Sequence, residues 1–151
     1  MKKILLIAAL FTTTLAVMAQ THVKNTKSQK EILNEQYCNG LFKSADGTIF
    51  DIEHENVQAY FNILDWLDGR VAGLQVVFSR NGTRVPVIRG SVASIYVDEM
   101  RMDASILNSL SVNDIGMIKI IKGPFVGAIG NGGSGVIAIY TIRADDVEDS
   151  D

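Results

Sequence analysis

The run Val136–Ile142, VIAIYTI, offers apolar side chains to both faces of an extended strand. Such a strand is stable only with packed layers on each side, so the chain has to wrap other elements around it. The six residues before it, GNGGSG from Gly130 to Gly135, satisfy G-x-G-x-x-G. That pattern binds a dinucleotide only when a helix follows, because the pyrophosphate sits on the free N–H groups at the helix start. Here a β-branched strand follows, and no acidic residue stands on a later strand to meet a ribose. The glycines read instead as a tight crossover that needs positive φ and close backbone approach.

The rest of the chain supplies the covering layers. GLQVVFS and RVPVIRG flank Arg80-Asn81-Gly82-Thr83, and Asn-Gly between apolar runs signals a hairpin. Pro86 places the second arm at a sheet edge. SIYVDEMRM is a further strand with a turn near Asp98-Glu99. DASILNSL is a short helix capped by Asp103, and SVNDI repeats an S-x-x-D start. MIKIIKG is a strand with Ile118 and Ile120 on one face and Met117, Lys119 and Ile121 on the other. The clearest helix runs from Asn56, with Val57, Tyr60, Phe61, Leu64 and Leu67 forming a core stripe and Gly69 ending it. Residues 20 to about 35 are polar and aperiodic, a flexible leader or a short marginal helix, and KSADGTIFDIE carries one short strand. The expected class is α+β: a small mixed β-sheet of about four to five strands with short helices.

At 151 residues and 47% hydrophobic content the chain suits one compact domain. Its first residues, MKKILLIAALFTTTLAVMAQ, read as a secretory signal peptide over 1–19, with Lys2 and Lys3 as the basic region. The expected division is then a polar leader and short strand region over 20–50, a folded domain over 51–143 and an acidic tail over 144–151. Losing Lys2 and Lys3 takes two positive charges from a formal −3 and leaves −5. An acidic exported domain lacks the basic face that nucleic acid demands. After signal cleavage no stretch has the length or apolarity of a membrane span. The single cysteine, Cys38, can form no internal disulfide and reads as a structural thiol.

No constellation points to catalysis, a cofactor or a metal. His22 and His54 are isolated, with no H-E-x-x-H and no cysteine pairs. Asp51-x-Glu53-x-Glu55 begins like a calcium loop but has Asn56 at the sixth position and Asn62 at the twelfth. Ser134 lacks the flanking pattern of a nucleophile elbow. The chain is expected not to be an enzyme.

Five segments in order carry a family resemblance: LDGRVAGLQV (67–76), VIRG (87–90), IYVDEMRMD (95–103), LNSLSVNDIGMIKIIKGP (107–124) and GNGGSGVIAIYT (130–141). Together they resemble the plug domain of TonB-dependent outer-membrane receptors, most nearly the Bacteroidetes type. The resemblance implies a small mixed sheet with short helices that, in the family, folds inside a barrel and closes its pore. This sequence departs from it at Glu99, where the family has glycine, so a turn needing positive φ there is expected to be strained or different. It departs again at Val112, in place of one residue of an Asn-Pro pair, and it shows no convincing TonB box near Gln20.

The resemblance implies a stand-alone, exported, non-catalytic plug-like protein at the periplasm or the periplasmic face of the outer membrane. It would associate with an outer-membrane transport barrel or nutrient-uptake system. The alternatives are a soluble periplasmic ligand- or protein-binding module and the product of a truncated receptor gene. Loops on a rigid scaffold are the working surface of such a module. The candidates are the hairpin tip (Arg80, Asn81, Gly82, Arg84), the turn Asp98, Glu99 and Arg101, and the glycine crossover Gly130, Asn131, Gly132, Gly133 and Gly135. Arg70 and Arg89 are candidate barrel-facing charges able to pair with carboxylates.

Overall fold

The structure, a computed structural model, describes residues 27–57, 59–123 and 135–143. The signal segment, the acidic tail and the glycine crossover from Gly130 to Gly133 lie outside them. The chain runs α1 (Gln29–Tyr37), β1 (Thr48–Asp51), α2 (Ile63–Leu67), β2 (Leu74–Phe78), β3 (Arg84–Ile88), β4 (Ser91–Val92), β5 (Ser94–Val97) and β6 (Met100–Met102). Two 3-10 turns, Ala104–Asn108 and Val112–Asp114, lead into β7 (Ile115–Ile121) and then β8 (Val136–Thr141). A five-stranded sheet has the order β1-β7-β8-β5-β6, and a second sheet has the order β2-β3-β4. Among the described residues only β5 and β8 run parallel; the other pairings are antiparallel, so the larger sheet is mixed and the fold is α+β.

β8 lies at the centre of the larger sheet, as its two-sided apolarity requires. Ile137 and Ile139 face a large core with Ile118, Ile120, Ile95, Trp66 and Leu67. Val136, Ala138 and Tyr140 face a smaller one with Leu33, Tyr37, Cys38 and Phe42. Each fully buried Ile or Leu contributes about 1.5–3 kcal/mol. Gly135 makes the entry to β8 possible. Its φ is +115°, and a Cβ there would lie 2.7 Å from the Ile121 carbonyl oxygen, a contact no side chain tolerates. In β7 the register slips between Ile115 and Met117. This bulge lets Ile115 and Ile118 share one core while Met117 and Ile121 join the other. Gly116, within it, sits where an added Cβ would collide with the Tyr37 ring.

Two sequence expectations are corrected, and a third, open between two readings, is decided. The first concerns the helix expected from Asn56, which begins only after Asn62, whose Oδ1 accepts from the Leu64 and Asp65 N–H groups at 3.0 and 3.1 Å. With that cap, Ile63, Leu64, Trp66 and Leu67 turn inward, and Phe61 is left 95% exposed instead of in the core. Val57 is still buried and Tyr60 half-buried, held by a turn and not by a helix.

The second concerns Pro86, whose strand is the middle one of three. The Pro86 carbonyl accepts from Ala93 N–H at 2.9 Å, so its nitrogen points to the same side, away from β2 and toward the chain just past the two-residue β4. Pro86 therefore lies where the β3–β4 pairing ends, not on an edge strand.

The third concerns the polar segment before β1. The helical reading is the observed one: α1 begins with a capping box in which Ser28 Oγ accepts from Glu31 N–H and the Glu31 carboxylate accepts from Ser28 N–H. Nine residues are too few for a helix to persist alone. α1 holds because Leu33 and Tyr37 enter the smaller core and Arg143 donates to the Gln36 and Tyr37 carbonyls in its last turn.

Candidate functional site

The hairpin that carries Arg80, Asn81 and Gly82 closes as the Asn-Gly signal demands. Gly82 takes φ +81°, Ser79 N–H donates to the Thr83 carbonyl at 2.8 Å, and Asn81 Oδ1 accepts from Thr83 N–H. The three tip residues are exposed. Arg84 belongs to the scaffold instead: its guanidinium pairs with Asp65 at 2.7 Å and its carbonyl accepts from Asn108 Nδ2. Beside the tip, Phe78 is 75% exposed and Val77 also reaches solvent.

The turn between β5 and β6 keeps the positive φ expected of a two-residue hairpin, +47° at Asp98 and +66° at Glu99. A left-handed non-glycine residue costs about 1–2 kcal/mol. Here both carboxylates work inward. Asp98 accepts from Thr141 N–H at 3.0 Å and Thr141 Oγ1 at 2.8 Å. Glu99 accepts from the Gly40 and Leu41 N–H groups at 2.9 and 3.1 Å and from the Tyr140 hydroxyl at 3.4 Å. A glycine at position 99 would relieve the strain and lose every one of these bonds. Arg101 stays at the surface of β6, between Met100 and Met102, both exposed.

Arg70 lies over the Trp66 ring at 4.8 Å and the Tyr60 ring at 5.3 Å, and its Nη2 donates to the Tyr60 hydroxyl at 2.9 Å. That is a local cation–π clamp. Arg89, with φ +53°, is exposed in the turn from β3 to β4. Of the candidate residues, then, Arg80, Asn81, Gly82 and Arg89 are presented outward, and Arg101 is exposed on β6. Arg70, Arg84, Asp98, Glu99 and Gly135 are tied into the fold. Gly130, Asn131, Gly132 and Gly133 lie outside the described residues.

The chain superimposes on part of several solved outer-membrane receptors. The siderophore receptor PirA from Acinetobacter baumannii matches at 21% identity over 73% of this chain and 18% of its own, with a TM-score of 0.53. A variant of the ferric enterobactin receptor PfeA from Pseudomonas aeruginosa, in complex with enterobactin, matches at 21% identity over 67% and 18%, with a TM-score of 0.52. This is a plug-type fold. The fold likeness to TonB-dependent receptors is the one the sequence motifs pointed to. The RagAB peptide importer in its closed-closed state is also similar, at 24% identity over 66% of this chain and 12% of its own, with a TM-score of 0.49. The plug-fold chain spans less than a fifth of the length of these structures. No protein-family model matches the sequence, and no curated protein matches it.

Within the plug fold, titratable groups are arranged for structure. Burial pushes the Cys38 thiol and the Tyr140 hydroxyl above their ordinary values, so Cys38 is an inert, buried thiol. His54 Nδ1 meets Asp51 Oδ1 at 2.9 Å, and that hydrogen bond raises the imidazole pKa. Asp51, the first residue of the calcium-like run, thereby serves its own turn. Among the described residues no set of three or more histidine, cysteine or acidic side chains gathers to hold a metal, and no helix is long and apolar enough to cross a membrane. Two features escaped the sequence reading. One is the set of exposed apolar side chains, Phe61, Phe78 and Met100, which periodicity or strand propensity assigns inward. The other is Lys119, 2% exposed in the middle of β7.

Proposed function

We propose that this chain is a non-catalytic, plug-like module of the TonB-dependent receptor type. It is exported to the periplasm or the periplasmic face of the outer membrane and associates there with a transport barrel carried on another polypeptide. The observation that carries this reading is the plug-type fold, matched over 67–73% of the chain by PirA and PfeA. Phe78 and Val77, beside the polar tip Arg80–Gly82, give the three-stranded sheet a mixed apolar and polar surface suited to a protein partner. Arg89 adds an outward cation able to meet a carboxylate on that partner.

The test is cross-linking of the tagged protein in its native host, with envelope fractionation, mass spectrometry and an immunoblot for the size of the native product. Recovery in the outer-membrane fraction with one β-barrel protein, from a product of this chain's own size, is the expected result. A product long enough to carry its own barrel would make the domain part of an ordinary receptor. Recovery only from the soluble periplasm, with no barrel attached, would replace this reading with a soluble binding module that reuses the fold.

A further inference from the structure

Lys119 sits on the face of β7 covered by α1, opposite the face that packs against the three-stranded sheet. Its ammonium carries three protons. Two are used, one by Asn34 Oδ1 at 2.6 Å and one by the Phe42 carbonyl at 2.7 Å, and both acceptors are neutral. Among the described residues no carboxylate comes within ion-pair distance of it. A buried cation is costly unless an opposite charge or further hydrogen bonds offset its desolvation. Lys119 and Asn34 line a recess of about 190 Å³ between α1 and the loop that precedes β1, with Lys30 and Lys43 also in its wall. Glu31 lines it too, but its carboxylate is committed to the cap of α1. Asp46, the other carboxylate among the lining residues, is near enough to favour the charged amine without pairing with it.

We propose that this recess binds a small oxyanion, a carboxylate or a phosphate, with the Lys119 ammonium as its buried anchor and Lys30 and Lys43 at its rim. The anion supplies the third hydrogen bond and the countercharge that the fold withholds. The volume is below the roughly 300 Å³ at which pockets for drug-sized ligands begin, which restricts the occupant to a small acid. The proposal does not depend on a barrel partner, because the recess lies on the sheet face away from the hairpin tip.

The test is NMR titration of the purified protein with acetate and, separately, with inorganic phosphate, following the Lys119 side-chain resonances. Saturable shifts are expected with at least one anion, and the tighter of the two identifies the chemistry. Lys119→Met should weaken binding by about tenfold or more, as loss of a charge-assisted bond does. Lys43→Gln should weaken it, and Asp46→Asn strengthen it, by about threefold each, the scale of partly exposed charges. These two surface variants decide the matter if Lys119→Met fails to fold. Absence of a saturable shift with either anion, or affinities unchanged across the variants, would overturn the proposal and leave Lys119 as a tether satisfied by water.

Discussion

The two sheets use similar residues and meet opposite fates. VIAIYT in β8 and IGMIKII in β7 are buried almost throughout, between two cores. LQVVF in β2 is no less apolar, yet only Leu74 is buried and Phe78 reaches solvent. What differs is cover. α1 closes one face of the larger sheet and α2 with the smaller sheet closes the other, whereas nothing among the described residues covers the outer side of the β2–β3 hairpin. Apolar composition makes a strand, but the number of layers decides whether it is core or surface. The comparison separates a scaffold from a face able to meet a partner.

Substitutions that damage the larger sheet's cores should have the largest effect. Trp66 is buried, packs edge-on against Phe50 at 5.2 Å and carries Arg70 on its face. Trp66→Ala should cost about 3–5 kcal/mol in a urea denaturation series. Gly135→Ala adds one methyl group where backbone already stands, and should cost on the order of 3 kcal/mol by the same measurement. A loss near that of an exposed glycine would mean that the entry to β8 is looser than described.

Lys119 gives a pH signature. Burial lowers its pKa from the ordinary 10.5, so over a window ending at 10.5 the unfolded chain holds a proton that the folded one lacks. Stability from this group therefore rises with pH through that window and is flat below it. Lys119→Met should remove that rise from a stability–pH profile.

Glu99→Gly sharpens the comparison at its boundary. Relief of left-handed strain favours the variant by about 1–2 kcal/mol. The bonds to Gly40 and Leu41 join charged acceptors to backbone donors and are worth roughly 1.5–3 kcal/mol each when well formed, less at a solvent-accessible site. The net expected is a loss of about 1 kcal/mol, read from the shift of the denaturation midpoint.

At the other extreme, Phe78→Ser and Phe61→Ser should leave stability within about 0.5 kcal/mol, because neither side chain is packed. A large loss from Phe78→Ser would place the hairpin inside the scaffold and erase the distinction.

Features that depend on neighbours in sequence were legible. The Asn-Gly hairpin, the Asp103 cap, the alternating faces of β7 and the central position of β8 all follow from local pattern. So did the plug-type fold, through five ordered motifs. Features that depend on distant partners were not. Glu99 meets Gly40 across 59 positions and Lys119 meets Asn34 across 85, so their roles leave no mark in any short window. Arg70 read as a barrel-facing charge and Arg84 as a hairpin-tip residue because Tyr60, Trp66 and Asp65 approach them only in the folded chain. Phe61 was misplaced for a local reason: two asparagines, Asn56 and Asn62, compete as caps, and the later one prevails.

In the proposed assembly the hairpin face, and not the α1 face, meets an outer-membrane barrel. Site-specific photo-cross-linking in the native host tests it, with the photoreactive group placed in turn at Phe78, Asn81 and Lys30. Capture of one β-barrel protein from Phe78 and Asn81, and none from Lys30, is the result this account predicts. Capture of no barrel from the hairpin, or equal capture from all three positions, would contradict it.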